Sequence, residues 1–393
     1  MSLLNRSIWS SMEEKNMSKE KAFAPKNYIV GKYAVGTSCF STIDIGRKEV
    51  LGEGEGNRKI AVRMYYPAAK EDVEGKQRAT IFSDAKKAAI MKAYHIRKVS
   101  DEMNYADYYE NVPVAQGTKF PLIMFSMGYN SYVESNTYLL SALASSGYIV
   151  ASVGHAYEAV ENDYEDGSYD LYDKKINKRM YNGKWKKAHK KLLKKGFPRN
   201  EDEYVAALTE FEAFQNEYTP YIMDRVKEWE ADILKALGEV KNRYGDHLDL
   251  SRGVGASGHS LGGCLAYFLC RYNDEFSCGI NMDGGLFGNY PEKIMEKPFC
   301  QISCKENVNV ETRPLVQTKA DTYLVIFEDM KHMGFTDAKF YIPIKMLSGK
   351  LDSEEMFRHL MYCHIQFFDQ YLKGKNVTFK GMTSDKVHYK KIN

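Results

Sequence analysis

Short apolar runs that end in glycine recur along the chain, separated by stretches in which apolar residues have helical spacing. FPLIMFSMG, from Phe120, and GYIVASVG, from Gly147, are typical of strands buried on both faces of a sheet. Between them, YVESNTYLLSALASSG has apolar residues at helical spacing and ends in glycine. The order of strand, helix and strand predicts a βαβ unit with parallel strands.

The same alternation returns in the second half of the chain. The predicted helices are DRVKEWEADILKALGEV, LGGCLAYFLCRY and the closing SEEMFRHLMYCHIQFFDQYLKG, and the predicted strands are GVGAS, SCGINMD, PFCQISC and TYLVIF. An earlier segment, RKIAVRMYYPA, alternates apolar and polar residues and predicts a half-buried strand. The pattern therefore predicts an α/β fold with a doubly wound, mostly parallel sheet.

Two segments interrupt this alternation and predict helical insertions, at about residues 70–115 and 158–218. A single domain is expected over residues 29–380, between a polar N-terminal tail at 1–28 and a C-terminal tail at 381–393. The second insertion is segregated by charge. Twelve Lys or Arg and no acidic residue lie between Lys174 and Arg199, and acidic runs flank them.

Composition narrows the class of protein. The 393 residues are 44% hydrophobic and 27% charged, as in soluble globular proteins, and a formal net charge of +3 argues against a nucleic-acid partner. The seven cysteines are scattered, which indicates a reducing compartment rather than a disulfide framework, and they lack the spacing of zinc ligands, so no metal is predicted. The first residues lack the apolar core of a signal peptide, so the expected location is the cytoplasm, or outside the cell if a leader was removed.

The stretch SGHSLGG contains the motif G-x-S-x-G at residues 258–262, between a predicted strand and a predicted helix. A sharp turn of this kind exposes the serine hydroxyl and directs the following helix N-terminus at an oxyanion formed beside it. The alternative is a glycine-rich turn without chemistry. The complete strand, motif and helix favour Ser260 as a nucleophile.

A serine nucleophile needs a base, usually a histidine oriented by a carboxylate. His332 lies on a loop after a late predicted strand, where a fold of this kind places its base, and His155 is the reserve candidate. His259 lies in the serine turn itself and is expected to point elsewhere. His359 and His364 lie inside the closing helix, where surface or packed histidines are expected.

Two acidic residues are candidates for the carboxylate that orients the base. Asp283 ends the predicted strand INMD and precedes two glycines, whereas Glu306 follows the next predicted strand. The chain order serine, acid, histidine permits both, with Asp283 favoured.

Several of these stretches together resemble the platelet-activating-factor acetylhydrolase family, of the lipoprotein-associated phospholipase A2 type, within the α/β-hydrolase superfamily. The resemblance extends from about Tyr33 to Lys373. It is carried by GKYAVG, VRMYYPA, the run from FPLIMFSMG to GHAYEA, GHSLGG, NMDGG and HMGFTD. It implies an α/β-hydrolase fold with Ser260 as nucleophile, Asp283 as acid and His332 as base.

The resemblance also implies an oxyanion hole formed by the backbone N–H groups of Leu261 and Tyr129. The family usually has His-Gly before the second donor, where this chain has Met127 and Gly128, a departure that removes one anchor of this loop. His155 and Phe335 are further candidates for the substrate pocket. No cofactor is implied.

The expected function is hydrolysis of a carboxylic ester through an acyl-enzyme, with preference for short or oxidised acyl chains on a phospholipid-like or other small ester. Two alternatives remain open. One is a peptidase or acyltransferase with the same three residues, and the other is a non-catalytic binding protein of the same fold, which the Met127 departure favours.

The basic segment WKKAHKKLLKKGF places Trp185, Leu192 and Leu193 at spacings of seven and eight, near one face of a helix surrounded by lysines. One interpretation is weak association with an anionic membrane surface, into which the apolar face inserts. The other is a lid whose apolar residues pack inward while the lysines stay in solvent.

Overall fold

The computed structural model describes residues 25, 27–52, 56–94, 104–175, 183–195, 200–288, 293–311, 315, 318–341, 345–377 and 379–393. Its strands are β1 (Ala34–Lys48), β2 (Asn57–Ala68), β3 (Tyr109–Glu110), β4 (Phe120–Ser126), β5 (Ile149–Val153), β6 (Glu161–Asp163), β7 (Tyr169–Leu171), β8 (Leu248–Asp249), β9 (Val254–His259), β10 (Phe276–Met282), β11 (Phe299–Cys304), β12 (Thr322–Phe327) and β13 (Val387–Lys391). Its α-helices are α1 (Asp84–Tyr94), α2 (Thr137–Ser145), α3 (Gly183–Leu193), α4 (Glu201–Tyr218), α5 (Pro220–Tyr244), α6 (Leu261–Tyr272), α7 (Val308–Glu311), α8 (Ala338–Tyr341), α9 (Lys345–Ser348) and α10 (Ser353–Tyr371).

Eleven of the described strands form one sheet in the order β3, β1, β2, β5, β4, β9, β10, β11, β12, β13, with β8 pairing with β4. The six adjacent strands β5, β4, β9, β10, β11 and β12 are parallel to one another, and β2 is antiparallel to β1 and β5. The predicted βαβ unit is β4, α2 and β5. The prediction of a mostly parallel sheet is confirmed.

Both faces of the sheet are covered by helices. In β4, Phe120, Leu122 and Met124 belong to the same core cluster as α5 and α6, whereas Ile123 and Phe125 belong to the cluster that contains α2 and α10. Successive side chains of a strand point to opposite faces, so a strand between two helix layers must be apolar throughout. Each fully buried side chain of this size contributes about 1.5–3 kcal/mol. Within the described residues, no helix has both the length and the apolar composition that a membrane span requires.

Two expectations from the sequence are corrected by this packing. Strand β2, predicted to be half-buried, is buried along nearly its whole length because α5 and α2 pack on the two faces of the sheet there and its neighbours cover both edges. Residues Val387–Lys391, expected in a C-terminal tail, form β13 and pair antiparallel with β12. The Tyr389 hydroxyl also hydrogen-bonds His359 Nδ1 at 2.8 Å, so β13 forms the edge strand of the sheet and is attached to α10.

A buried ionic cluster fastens the long helix α5 to the sheet. Arg58 of β2 donates to Asp232 Oδ2 at 2.7 Å, and Arg225 Nη2 donates to Glu158 Oε2 at 2.6 Å. Trp229 Nε1 donates to the same carboxylate at 2.7 Å. Removal of one member of such a cluster leaves an uncompensated buried charge and costs about 3–5 kcal/mol. The cluster therefore fixes α5 and the start of the second insertion relative to the sheet.

His364 in α10 predicts a pH dependence of stability. It is fully buried; its Nδ1–H donates to the Leu360 carbonyl oxygen at 2.8 Å, and its Nε2 accepts from Ser257 Oγ at 3.2 Å. Burial lowers the pKa of His364 from 6.5 to about 4. Between these values the unfolded chain binds a proton that the folded protein does not. His364 therefore lowers the free energy of unfolding by about 1.4 kcal/mol per pH unit as the pH falls from about 6.5 to 4.

Denaturant unfolding of the wild type and of His364→Gln at pH 7, 6 and 5 tests this effect. We expect the free energy of unfolding of the wild type to fall relative to that of the variant as the pH falls. Only the wild type has a histidine at this position that takes up a proton when the protein unfolds. Parallel stability curves would show that the His364 side chain is not held neutral by burial.

Candidate active site

Ser260 lies in a tight turn between β9 and α6, with φ 57° and ψ −120°. The flanking glycines are required by close backbone approach. A Cβ at Gly258 would lie 2.3 Å from the backbone of Gly262, and a Cβ at Gly262 would lie 2.1 Å from the Ser126 carbonyl oxygen. The G-x-S-x-G spacing thus follows from the packing of the turn against the end of β4.

The two other predicted residues lie beside this turn. Asp283 directly follows β10, and His332 begins a short 3₁₀ turn after β12. Because parallel strands end at the same edge of a sheet, His332 reaches Ser260 and Asp283 reaches His332. His332 Nε2 is 2.9 Å from Ser260 Oγ, and His332 Nδ1 is 2.7 Å from Asp283 Oδ2. The structure therefore brings Ser260, His332 and Asp283 into one hydrogen-bonded series.

Asp283 is buried, and several donors surround its carboxylate. The backbone N–H of Cys304 donates to Oδ1 at 2.7 Å, and Asn307 Nδ2 donates to Oδ2 at 2.8 Å. Burial alone would raise the pKa of Asp283, but the hydrogen bond and charge of His332, together with Cys304, lower it. A charged Asp283 holds the proton on His332 Nδ1, so that Nε2 faces the Ser260 hydroxyl as an acceptor.

The alternative acid and the reserve base lie elsewhere. Glu306 is exposed and pairs with Lys331 at the surface. His155 is fully buried in the ionic cluster, with Nδ1 2.9 Å from Asp232 Oδ2 and its ring stacked on Trp229 at 3.7 Å. The expectation that His155 lines the substrate pocket is therefore wrong, because Asp232 and Trp229 hold it inside the core.

Phe335, the other predicted pocket residue, is also buried away from the cavity. Its ring packs edge-to-face on Phe327 of β12 at 5.3 Å, and its carbonyl oxygen accepts a hydrogen bond from Asn136 Nδ2 at 2.8 Å. It holds the loop that carries His332 onto the sheet. The prediction of a pocket role for Phe335 is corrected accordingly.

His259 is a residue of the site that the sequence did not reveal. Its Nε2–H donates to the backbone oxygen of His332 at 3.0 Å, and the two rings lie 4.7 Å apart. Burial, together with the neighbouring His332, lowers the pKa of His259 to about 3, so the ring is neutral. No local pattern signals this contact, because the two residues are far apart in the chain.

The two predicted oxyanion donors belong to two segments that lie next to Ser260. Leu261 is the first residue of α6, and the first N–H groups of a helix have no partner within it. Tyr129 follows Gly128, where an added Cβ would lie 3.3 Å from the Ser260 Cβ, so the loop after β4 passes in contact with the serine.

The loop that carries Tyr129 is held by both insertions. The Asn130 N–H donates to the Glu158 carbonyl oxygen at 2.8 Å, and the Tyr94 hydroxyl donates to the Asn130 carbonyl oxygen at 2.7 Å. Met127, which stands where the family usually has histidine, is fully buried. The loop therefore has anchors from α1 and from the segment after β5 in place of that histidine.

A cavity of about 380 Å³ opens over Ser260. Its polar wall is formed by the hydrogen-bonded series with Asn307 and Glu311, and its apolar wall by residues of α3, α4, α5 and the segment after β10. These apolar residues are Trp185, Phe211, Phe214, Ile222 and Phe287.

Helix α3 covers this cavity with its apolar side. Trp185 stacks on His189 at 4.7 Å, both line the cavity, and Leu192 is buried. The lysines of α3 are exposed; they are Lys184, Lys186, Lys187, Lys190 and Lys191. This is the arrangement expected of a lid. The side chain of Leu193 lies outside the described residues.

Comparisons with known proteins identify relatives of this chain. The chain matches the family model of platelet-activating factor acetylhydrolase, isoform II, over residues 17–386. A platelet-activating factor acetylhydrolase of Cavia porcellus is 25% identical over 282 residues, and the match covers 67% of this chain but only 60% of that relative. A solved structure of a ferulic acid esterase from Streptomyces cinnamoneus has a TM-score of 0.66 at 20% identity and covers 94% of this chain and 98% of its own.

The structural likeness confirms the α/β-hydrolase fold that the family resemblance implied. The family match likewise confirms the resemblance found in the sequence, over nearly the whole chain. The protein belongs to the platelet-activating factor acetylhydrolase, isoform II family.

Proposed function

We propose that this protein hydrolyses carboxylic esters, with Ser260 as nucleophile, His332 as general base and Asp283 as the acid that orients it. The observation that carries the proposal is the hydrogen-bonded series at the cavity floor, 2.9 Å from Ser260 Oγ to His332 Nε2 and 2.7 Å from His332 Nδ1 to Asp283 Oδ2. The side chain of His332 is 41% exposed, so it is reachable from the cavity.

In the proposed reaction, Ser260 Oγ attacks the ester carbonyl carbon while His332 Nε2 takes its proton. The oxyanion of the tetrahedral intermediate accepts hydrogen bonds from the N–H groups of Leu261 and Tyr129. His332 then returns the proton to the departing alcohol, which leaves an acyl group on Ser260. Water, deprotonated by His332, releases the acid by the same route.

The proposed substrates are phospholipid-like or other small esters with short or oxidised acyl chains. A cavity of about 380 Å³ is near the lower limit of ordinary small-molecule sites, which favours a short acyl chain. Its aromatic wall suits aliphatic groups, and Lys186 at its edge suits an anionic head group. The name of the Cavia porcellus relative agrees with an acetyl ester.

A fluorophosphonate probe tests the proposal directly, because it reacts with an activated serine and allows the labelled residue to be mapped. We expect label on Ser260, together with faster hydrolysis of short-chain esters than of long-chain esters or matched amides. Folded protein that takes no label on Ser260 would favour a non-catalytic binding protein. Preference for the amides would favour a peptidase.

Trp185→Ala is expected to raise KM for a short-chain ester about tenfold with little change in kcat. The substitution removes an aromatic wall of the cavity, and a tenfold change in affinity corresponds to about 1.4 kcal/mol of lost binding. Steady-state kinetics measures both constants, with Lys187→Ala on the exposed side of α3 as the matched control. An unchanged KM would show that α3 does not contribute to binding of the acyl group.

Association of α3 with anionic membranes stays a prediction, carried only by its exposed lysines, since Trp185 faces the cavity. Co-sedimentation with anionic vesicles would separate the two roles. Lysine-to-glutamine changes on α3 are expected to weaken binding, and Trp185→Ala to leave it unchanged. A wild type that does not bind such vesicles would exclude the membrane role.

A further inference from the structure

A second carboxyl group lies against Asp283, and the proposed mechanism does not use it. Glu311, the last residue of α7, is only 4% exposed and contributes to the cavity wall. Its Oε2 accepts a hydrogen bond from Ser303 Oγ at 2.6 Å, and the next residue, Cys304, donates its N–H to Asp283 Oδ1 at 2.7 Å. The two carboxyl groups thus lie side by side in the wall of one cavity and interact electrostatically.

Two carboxyl groups in contact and shielded from water cannot both carry a charge, so one keeps a proton. Asp283 receives hydrogen bonds from the Cys304 N–H, Asn307 Nδ2 and His332 Nδ1, which stabilise its charge. Burial raises the pKa of Glu311 well above its ordinary value, and the charge of Asp283 raises it further, against the hydrogen bond from Ser303.

Polar groups of the sheet hold Glu311 in this position. Gln301 Nε2 lies 3.4 Å from Glu311 Oε2 and 3.0 Å from Ser303 Oγ. Asn281 of β10 donates to Gln301 Oε1 at 2.9 Å. The carboxyl group of Glu311 is therefore oriented by two strands that also carry Asp283 and its backbone donor.

We propose that Glu311 is a positioning residue, a neutral acid that donates a hydrogen bond to Asp283 and holds this carboxylate where it receives the Nδ1–H of His332. The inference rests on the proposed function, because Glu311 acts on the reaction only through Asp283 and His332. In this arrangement the proton stays on Glu311 throughout the cycle, and Asp283 keeps its negative charge.

Other titratable groups near Glu311 do not replace this interaction. Burial raises the pKa of the Cys304 thiol and lowers the pKa of His189, so both are neutral. Lys186, on the same cavity wall as His189, is exposed to solvent. Among the described residues, the charges that face Glu311 are thus the carboxylate of Asp283 and, when it is protonated, the ring of His332.

Glu311→Gln and Glu311→Ala separate positioning from charge. Glutamine is neutral and keeps an N–H donor for Asp283, so we expect kcat within about threefold of the wild type and the acidic limb of kcat/KM at the same pH. Alanine removes the donor, and we expect kcat to fall about ten- to hundredfold with little change in KM, as misplacement of a reacting group does. Glu306→Gln is the matched control, since it removes an exposed carboxylate nearby.

Three results would overturn the proposal. They are wild-type kcat in Glu311→Ala, an equal loss in Glu311→Gln and Glu311→Ala, and an acidic limb displaced to lower pH in Glu311→Gln. The last would show that the wild-type Glu311 is charged. Thermal unfolding checks each variant, and Glu311→Leu, which retains the side-chain volume, replaces the alanine variant if that protein does not fold.

A measurement without turnover keeps this test separate from the proposed function. The downfield proton NMR signal of His332 Nδ1–H reports its hydrogen bond to Asp283 even in a protein that cleaves no ester. We expect the same signal in the wild type and Glu311→Gln, and a shifted or broadened one in Glu311→Leu. An unchanged signal in Glu311→Leu would refute the positioning role, whereas an inactive wild type with the expected signals would refute only the proposed hydrolysis.

Discussion

Ser260→Ala lowers kcat for ester hydrolysis by about 10⁴ to 10⁶ and leaves the fold intact. The hydroxyl oxygen is the attacking atom in the proposed reaction, and it is hydrogen-bonded to His332 Nε2 at 2.9 Å. Alanine adopts the positive φ of this turn at about the same cost as serine, so the backbone is not expected to change. The remaining rate would come from binding and from the oxyanion donors.

Initial rates with a short-chain ester measure this loss, and thermal unfolding verifies the fold. Ser257→Ala is the matched control, because Ser257 lies on β9 three positions earlier and contacts His364 rather than His332. We expect this control to stay within about tenfold of the wild type, as is usual for a residue outside the reacting groups. Ester hydrolysis by Ser260→Ala at more than a hundredth of the wild-type rate would exclude Ser260 as the nucleophile.

The predicted residues that the structure brings together have local signatures. Ser260 is marked by glycines that close packing requires at fixed positions, and Asp283 and His332 are marked by their place after apolar strands. Because parallel strands end at one edge, strand ends in the sequence predict neighbours in space. The doubly wound sheet was likewise predicted from a local pattern, the alternation of strands and helices along the chain.

The residues that the sequence did not reveal depend on contacts between distant segments. His155 follows a buried strand, as a pocket residue does. It lies in the core instead, because it is hydrogen-bonded to Asp232 and stacked on Trp229 of α5. Strand β13 is short and polar, and it becomes a strand because it pairs with β12. Glu311 belongs to no sequence motif, because its proposed positioning role depends on its place beside Asp283 in the folded protein.

The basic helix α3 shows a different limit of sequence patterns. An apolar stripe among lysines fits a lipid surface and a lid equally well, because the same helical face makes either contact. The structure resolves the orientation: Trp185 and Leu192 lie on the inner side, above a cavity that Phe211 and Phe214 also line. Amphipathic spacing predicted the helix, but only the packing of its neighbours identified what its apolar side covers.

Asp283→Asn is expected to lower kcat by about 10⁴ with a smaller effect on KM. If the asparagine oxygen keeps the hydrogen bond from the Cys304 N–H, its amide nitrogen must take the place of Oδ2. Oδ2 accepts from His332 Nδ1 at 2.7 Å and from Asn307 Nδ2 at 2.8 Å, so the amide nitrogen would face two donors. His332 relieves this conflict by moving its proton to Nε2, where it can no longer accept the proton of Ser260.

Kinetics and labelling together test this tautomer argument. Asp283→Asn is expected to lose ester hydrolysis and fluorophosphonate labelling of Ser260 in parallel, because both need Nε2 as the acceptor. Rates measured up to high pH separate it from a binding defect, since hydroxide can assist the attack of Ser260 when His332 cannot. Glu306→Gln removes the rival carboxylate and should retain wild-type rates, because Glu306 pairs with Lys331 at the surface. If Glu306→Gln were the variant that lost activity, and Asp283→Asn kept more than a tenth of it, Glu306 would replace Asp283 as the acid.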